Sequence, residues 1–503
     1  MTHTDFDAVV VGSGPNGLAA AITLQRKGLS VLLLEAKETI GGGMRTESLT
    51  LPGFLHDVCS AIHPMAAASP FLQSLPLEEF GLEYIHPPIC VAHPLGQREN
   101  PHENPHENER ENQFEDQHDA ALLYRSLNRT ATLLGQDATA YHKLYDPLIR
   151  HWPDIATDAL GPLSIPRHPL QMARFGRHAL ASAATTAKRF QTAKAKALWA
   201  GLAAHAVAPL NNIATSAVGL VLTIAGHTVG WPFPKGGSIM IAQAMAEYFK
   251  SLGGKIETNT PIHNLKQLPA TKVVLFDLSP RQLLAIAGQD LSGTYRHQLE
   301  KYRYGPGVFK VDWALDSPIP FTNLHCRQAG TVHLGGTWEE IAFSEREAWN
   351  GRHTDNPFTL VAQQSLFDPT RAPKSRHTAY AYCHVPNGST LDRTELIERQ
   401  IERVAPGFRD RILARHTMDT AALESYNANY IGGDVIGGAV DIRQLFTRPA
   451  LRSSPYRTSA KGLYICSAST PPGGGVHGLC GYHAAQRALK DLFSESQQAA
   501  TPV

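Results

Sequence analysis

Residues 7–24 read Asp7-Ala-Val-Val-Val11, then Gly12-Ser13-Gly14-Pro15-Asn16-Gly17, then Leu18-Ala-Ala-Ala-Ile-Thr-Leu24. A short, unbroken apolar run that stops at glycine is the pattern of a parallel strand buried on both faces. The glycines follow at GxGxxG spacing, and an alanine-rich helical stretch follows them. Each glycine answers a physical need. Gly12 permits a tight turn off the strand, Gly14 lets a pyrophosphate approach bare backbone, and Gly17 lets the helix pack close to the sheet. The helix N-terminus offers free N–H groups and a positive dipole end to phosphates. This motif alone is weak evidence, but its setting is complete. A second strand, Ser30-Val-Leu-Leu-Leu34, ends at Glu35, placed to accept hydrogen bonds from ribose hydroxyls.

The next segment narrows the dinucleotide. Ala36-Lys-Glu-Thr-Ile-Gly41-Gly42-Gly43-Met44-Arg45 follows the acid. A glycine cluster and then an arginine at this distance is similar to the extended fingerprint of FAD proteins of the amine oxidase and phytoene desaturase type. Arg45 is expected to pair with the diphosphate or the flavin edge; the plainer reading is a loop charge. Near the other end stands Gly462-Leu-Tyr-Ile-Cys466-Ser467-Ala-Ser-Thr-Pro471-Pro472-Gly473-Gly474-Gly475-Val476-His477-Gly478, and a helical stretch follows. This is again strand, glycine-rich turn and helix. Its backbone amides and helix N-terminus suit the pyrimidine side of a flavin, where reduction places negative charge.

Together these motifs resemble the phytoene desaturase-like FAD oxidoreductases, a group that includes carotenoid desaturases and retinol saturases. Within it, the resemblance is closest to the branch containing pyridine nucleotide-disulphide oxidoreductase domain-containing protein two. Cys59-Ser-Ala-Ile-His-Pro64, Gly201-Leu-Ala-Ala-His205, Gly226-His-Thr-Val-Gly-Trp-Pro232, Lys235-Gly-Gly-Ser238 and Asn429-Tyr-Ile-Gly-Gly-Asp434 carry that match. The resemblance implies an α/β fold. A Rossmann-like FAD-binding domain of the glutathione reductase/amine oxidase type would be interleaved with an α+β substrate domain. It also places the backbone of Ile262 at the adenine. Ser467, where relatives usually carry Gly, and Pro471-Pro472, in place of His-Pro, depart from the pattern. Disulphide chemistry is disfavoured, because no second nucleotide fingerprint and no CxxxxC beside the flavin segments occur. The residues put forward for noncovalent FAD are Gly12, Ser13, Gly14, Pro15, Asn16, Gly17, Glu35, Ala36, Gly42, Gly43, Met44, Arg45, Ile262, Ser467, Gly475, Val476 and His477.

The FAD domain is expected from three separated pieces, 1–64, 235–292 and 455–495. The second piece reads as a helix around Ile239 to Leu252, a strand from Lys272 to Asp277, and a turn at Leu278-Ser-Pro-Arg281. Residues 65–234 and 293–454 make the substrate domain. Ile89-Cys-Val-Ala and Ala120-Ala-Leu-Leu-Tyr124 read as a hairpin around the low-complexity tract 98–118, where Pro-His-Glu-Asn repeats. His102, His106 and His118 there have no fixed metal geometry, so no metal is expected. From Ala159 to Ala246 the chain has no Asp or Glu, while Arg167, Arg174, Arg177, Lys188, Arg189, Lys194 and Lys196 lie among apolar residues. Such basic amphipathic helices suit an anionic membrane surface and a lipophilic substrate; the alternative is a cationic cap facing water or an oligomer contact. A net charge of +1 gives no global attraction to nucleic acid. Six scattered cysteines without a CxxC fit a reducing compartment. A cytoplasmic location is expected, at most peripheral on the inner membrane face.

Flavin chemistry needs few side chains. His63, His205 and His477 are the catalytic candidates, with Trp231 and Asp434 for the substrate pocket. The plain reading of each histidine is a hydrogen-bonded structural residue, of Trp231 packing, and of Asp434 a turn acid. Hydride removal from a lipophilic molecule, with quinone or O₂ as acceptor, is the first expectation. An amine or amino-acid oxidase would instead need a polar pocket and an aromatic pair at the flavin, and the C-terminal motif contains no such pair. Isomerisation with reduced flavin, or a structural FAD, completes the alternatives.

Overall fold

The computed structural model describes residues 4–95 and 119–493. The repeat tract 98–118 lies outside the described residues. Two sheets organise the chain. The first is parallel and five-stranded, in the order Leu463–Ile465, Thr271–Phe276, Phe6–Val11, Val31–Leu34, Lys255–Glu257. Its strands are short apolar runs because helices cover both faces. Val10, Leu33 and Leu275 pack into one cluster with the helix Pro15–Gln25, while Val9, Leu32 and Val274 pack into another. The C-terminal helix Leu479–Leu492 lies against Pro15–Gln25. The expected helix after Lys235-Gly-Gly-Ser238 spans Ile239–Ser251.

The second sheet has seven strands, in the order 412–418, 307–315, 377–385, 359–362, 329–334, 89–94, 120–123. All pairs are antiparallel except 329–334 with 89–94. The expected hairpin is present, pairing Val91 with Leu123. Period-two alternation divides this sheet. Phe309, Val311, Trp313 and Leu315 face a core shared with Ala379, Ala381, Cys383 and Val385. The opposite face carries Lys310, Asp312, Tyr380 and Tyr382.

Three details differ from the sequence reading. Leu278-Ser-Pro-Arg281 is not a plain turn: Ser279 caps a helix, Pro280–Ala287, by accepting the N–H of Gln282. Residues 293–300 form a helix whose Tyr295 and Leu299 pack on the parallel sheet, so this layer continues past 292. The basic stretch is not a uniform amphipathic surface either. Helix Ala193–Ala204 is buried on nearly all sides, with Trp199 donating to the Ala183 carbonyl at 2.9 Å, and Lys194 pairs with Asp119 at 2.8 Å. Helix Pro169–Ala179 is the amphipathic member. Among the described residues no helix is long and apolar enough to cross a membrane.

Candidate functional site

A cavity of about 810 Å³ runs between the two sheets, within the size range of ligand pockets, about 300–1,000 Å³. Its lining includes the Gly12–Asn16 turn with Glu35, Ala36 and Ile262, then Gly42, Gly43 and the 467–477 turn, and the apolar side chains of Leu160, Phe175, Ala217, Val221 and Leu222. Thus most residues put forward for the cofactor line one continuous space, although they come from distant parts of the chain.

The turn geometry follows the glycine logic. Gly12 has φ +100°, a left-handed conformation that favours glycine. A Cβ on Gly17 would lie 1.9 Å from the Gly12 carbonyl oxygen, so only glycine lets this helix sit on its strand. Gly17 itself is behind the cavity wall, and its N–H donates to Asp277 Oδ2 at 2.9 Å. Asn16 Oδ1 is buried without a hydrogen-bond partner. Bare backbone, a helix N-terminus and an unpartnered amide oxygen together fit a dinucleotide.

Several expectations require correction. Met44 does not line the cavity; it is fully buried in the core. Arg45 reaches the wall but does not present a free fork. It donates to the Thr39 carbonyl at 2.7 Å and to Glu35 Oε1 at 3.3 Å, and it lies 5.4 Å from the Tyr426 ring centroid. Glu35 is correspondingly engaged, accepting from Ser13 N–H and Oγ and from Lys37 N–H. Asp434 does not line the pocket. It is fully buried and accepts the N–H groups of Gly305, Ile436 and Gly437 at 2.8–3.0 Å, which is the turn-acid role. An acceptor that binds three amides while fully buried is spent on structure.

The histidines separate by their hydrogen bonds. His477 receives the Leu479 N–H on Nδ1 at 3.0 Å, so its Nε2–H donates to the Gly473 carbonyl at 3.1 Å. With both ring nitrogens used, it braces the glycine turn rather than exchanging protons. Ser238 Oγ donates its one proton to the Ser60 carbonyl at 2.7 Å. His63 Nε2–H must therefore donate to that hydroxyl, 2.7 Å away, leaving Nδ1 an acceptor without a partner among the described residues. His205 Nε2 lies 3.1 Å from His333 Nε2, and its ring stands edge-on to Trp231 at 5.7 Å. Trp231 donates to the Leu222 carbonyl and lines the wall. Burial lowers His63 and His477 to about 4 and His205 to about 3, so all three are neutral near pH 7.

The sequence reading missed the sheet side of the site. Lys310 and Tyr382 are register partners, as are Asp312 and Tyr380. Lys310 forms a buried ion pair with Asp312 and lies 5.0 Å from the Tyr380 ring centroid. Burial opposes ionisation of Asp312, but Lys310 and His416 still hold it below the usual carboxylate range. Tyr380 and Tyr382 are parallel within 5°, with centroids 6.2 Å apart. Lys310 and both tyrosines line the cavity. Lys-x-Asp and Tyr-x-Tyr on alternating strands were the available signal, but such polar faces ordinarily meet water.

Residues 16–285 match the family described as flavin containing amine oxidoreductase, and that stretch is more than half of the chain. The chain belongs to this family. As a flavin containing amine oxidoreductase it is an FAD-dependent oxidoreductase of the amine oxidase and phytoene desaturase type. It is 24% identical to pyridine nucleotide-disulfide oxidoreductase domain-containing protein 2 of Mus musculus, across 97% of this chain and 94% of that protein. It is also 24% identical to the lycopene-forming phytoene desaturase of Pseudescherichia vulneris, over 57% of this chain and 61% of the desaturase. Among solved structures, an oxidoreductase from Methanosarcina mazei superposes with a TM-score of 0.64 at 15% identity, covering 96% of this chain and all of that one. That last likeness concerns the fold.

Proposed function

We propose that this chain binds FAD noncovalently and removes a hydride from a lipophilic small molecule, the electrons passing on to a quinone or O₂. The observation that carries the reading is one cavity lined both by a dinucleotide turn and by apolar side chains. Bound FAD supplies the two-electron acceptor. The protein then contributes placement and electrostatics. Gly12–Asn16 and the helix start would hold the phosphates, and the 473–477 turn, braced by His477, would hold the ring. Lys310, paired with Asp312, brings N–H donors to the wall, and a donor fixed there favours negative charge developing in a space of low dielectric. His63 and His205, both neutral, can accept a proton released as a C–H bond is oxidised.

The likeness to phytoene desaturase supports a lipophilic substrate, as do Leu160, Phe175, Val221 and Leu222. The parallel Tyr380–Tyr382 pair favours a second reading, an amine substrate, because two facing aromatic rings can flank a neutral or cationic amine. The deciding experiment is anaerobic mixing of the purified yellow protein with retinoids or carotenoids and, separately, with primary and secondary amines, followed by visible absorption. Bleaching by the polyenes alone supports the first reading; bleaching by amines alone replaces it. Acid precipitation that leaves the colour in the pellet would overturn noncovalent attachment.

A further inference from the structure

Asp277 occupies an unusual place. It ends the strand Thr271–Phe276, and its N–H bonds to the Val11 carbonyl at 2.8 Å, which sets it over the Gly12 turn. Its Oδ2 accepts the Gly17 N–H at 2.9 Å, and a Cβ on Gly14 would come within 2.7 Å of that oxygen. The residue is 8% exposed yet lines the cavity. Its Oδ1 has no hydrogen-bond partner among the described residues. The charged and titratable groups around it are unfavourable or neutral. Glu35 adds like charge from the end of the second strand. Cys466 and Cys480, on the neighbouring strand end and the C-terminal helix, are thiols pushed up by burial. Arg45 is turned away to Glu35 and Thr39.

A diphosphate brought to this turn would face a buried carboxylate with no counter-ion. Two anions in a low-dielectric pocket repel strongly. The acid form removes that repulsion and converts the unpartnered oxygen into a donor, while Oδ2 keeps the Gly17 N–H. We infer that Asp277 serves FAD as a neutral carboxylic acid whose Oδ1–H donates to the cofactor, so that FAD binding takes up a proton. This inference rests on the FAD assignment proposed above. Burial first, and Glu35 second, already push the carboxyl up to about 7. The unliganded protein is therefore partly ionised at neutral pH, and an arriving anion moves the group further toward its acid form.

The test is FAD affinity of the apoprotein from pH 6 to 9 by titration calorimetry, repeated at pH 8 in two buffers of different ionisation enthalpy. The expected result is a Kd that rises above about pH 7, approaching tenfold per pH unit, with close to one proton taken up per FAD at pH 8. Asp277→Asn, an amide fixed in the neutral state, should bind with a flat pH profile and no proton uptake. A wild-type Kd independent of pH, no proton uptake at pH 8, or an Asp277→Asn variant that keeps the wild-type slope would overturn the inference. The wild-type proton count stands even if the variant does not fold. Absence of FAD binding at every pH would instead overturn the cofactor assignment, and this inference with it.

Discussion

At the scale of single residues, the site depends on contacts that tolerate no added atom and no lost partner. Gly17 is the first kind. Its missing Cβ leaves the Gly12 carbonyl the space that a methyl group would fill at 1.9 Å. Gly17→Ala should cost at least about 1–3 kcal/mol by overpacking and should strip flavin from the protein. Thermal unfolding and the flavin content per chain measure both, and a stable variant with full colour would refute the packing argument. Asp57 is the second kind. Both it and Arg371 are 1% exposed at the side chain, and they meet at 2.7 Å. Asp57 also accepts from Ser238 N–H and Thr46 Oγ1 at 2.8 Å. Burial opposes its charge, but Arg371 and these bonds hold its carboxyl below the usual 3.8. A carboxylate lowered in the folded state adds stability above its unfolded value and loses it as pH falls through the folded value. Arg371→Met should therefore cost about 3–5 kcal/mol at pH 7 and flatten the loss of stability below about pH 4. Urea unfolding at pH 7 and pH 3.5 would show it.

At the scale of elements, the helix Pro169–Ala179 joins the inside of the cavity to the outside of the molecule. Phe175 lines the cavity, while Arg174 and Arg177 of the same helix are exposed. Beside them stand Ile165 and Leu170, 93% and 81% exposed, and Leu163 at 72%. Exposed apolar residues among arginines are what an anionic lipid surface would take, with about 1 kcal/mol from each basic residue near it. We expect the protein to sediment with vesicles containing phosphatidylglycerol at low salt, and less so as salt is raised. Replacing Leu163, Ile165 and Leu170 by Asp should reduce binding at least fivefold without lowering stability, because the three side chains are exposed. Equal binding by the variant would assign this face to water.

At the scale of the whole molecule, the cavity is a seam between layers. Its walls include parts of the first 66 residues, the helices between 159 and 222, the segment 260–286, strands near 310 and 380, the segment 423–448, and the turn at 467–477. A ligand that fills it must couple these parts, so FAD at a hundred times its Kd should stabilise the apoprotein by about 2.7 kcal/mol. Thermal unfolding with and without FAD would reveal this, and an unchanged transition would mean that the cofactor does not seat across the seam. The strand–turn–helix at residues 6–25, the acid at Glu35 and the second glycine turn were legible in the sequence, because turns of this kind impose local requirements on φ and on missing Cβ atoms that only glycine meets. The parallel sheet followed from the same runs. The fate of Arg45 and Asp434 was not legible, because a polar side chain's partner is chosen by whatever distant backbone the fold brings beside it. Nothing in the sequence separates Lys310, Tyr380 and Tyr382 from the wet face of a sheet, and Asp277 only closes the strand that begins at Lys272. Only the closure of one layer on the other buried them against the cavity, since burial is a property of long-range contact that no local pattern encodes.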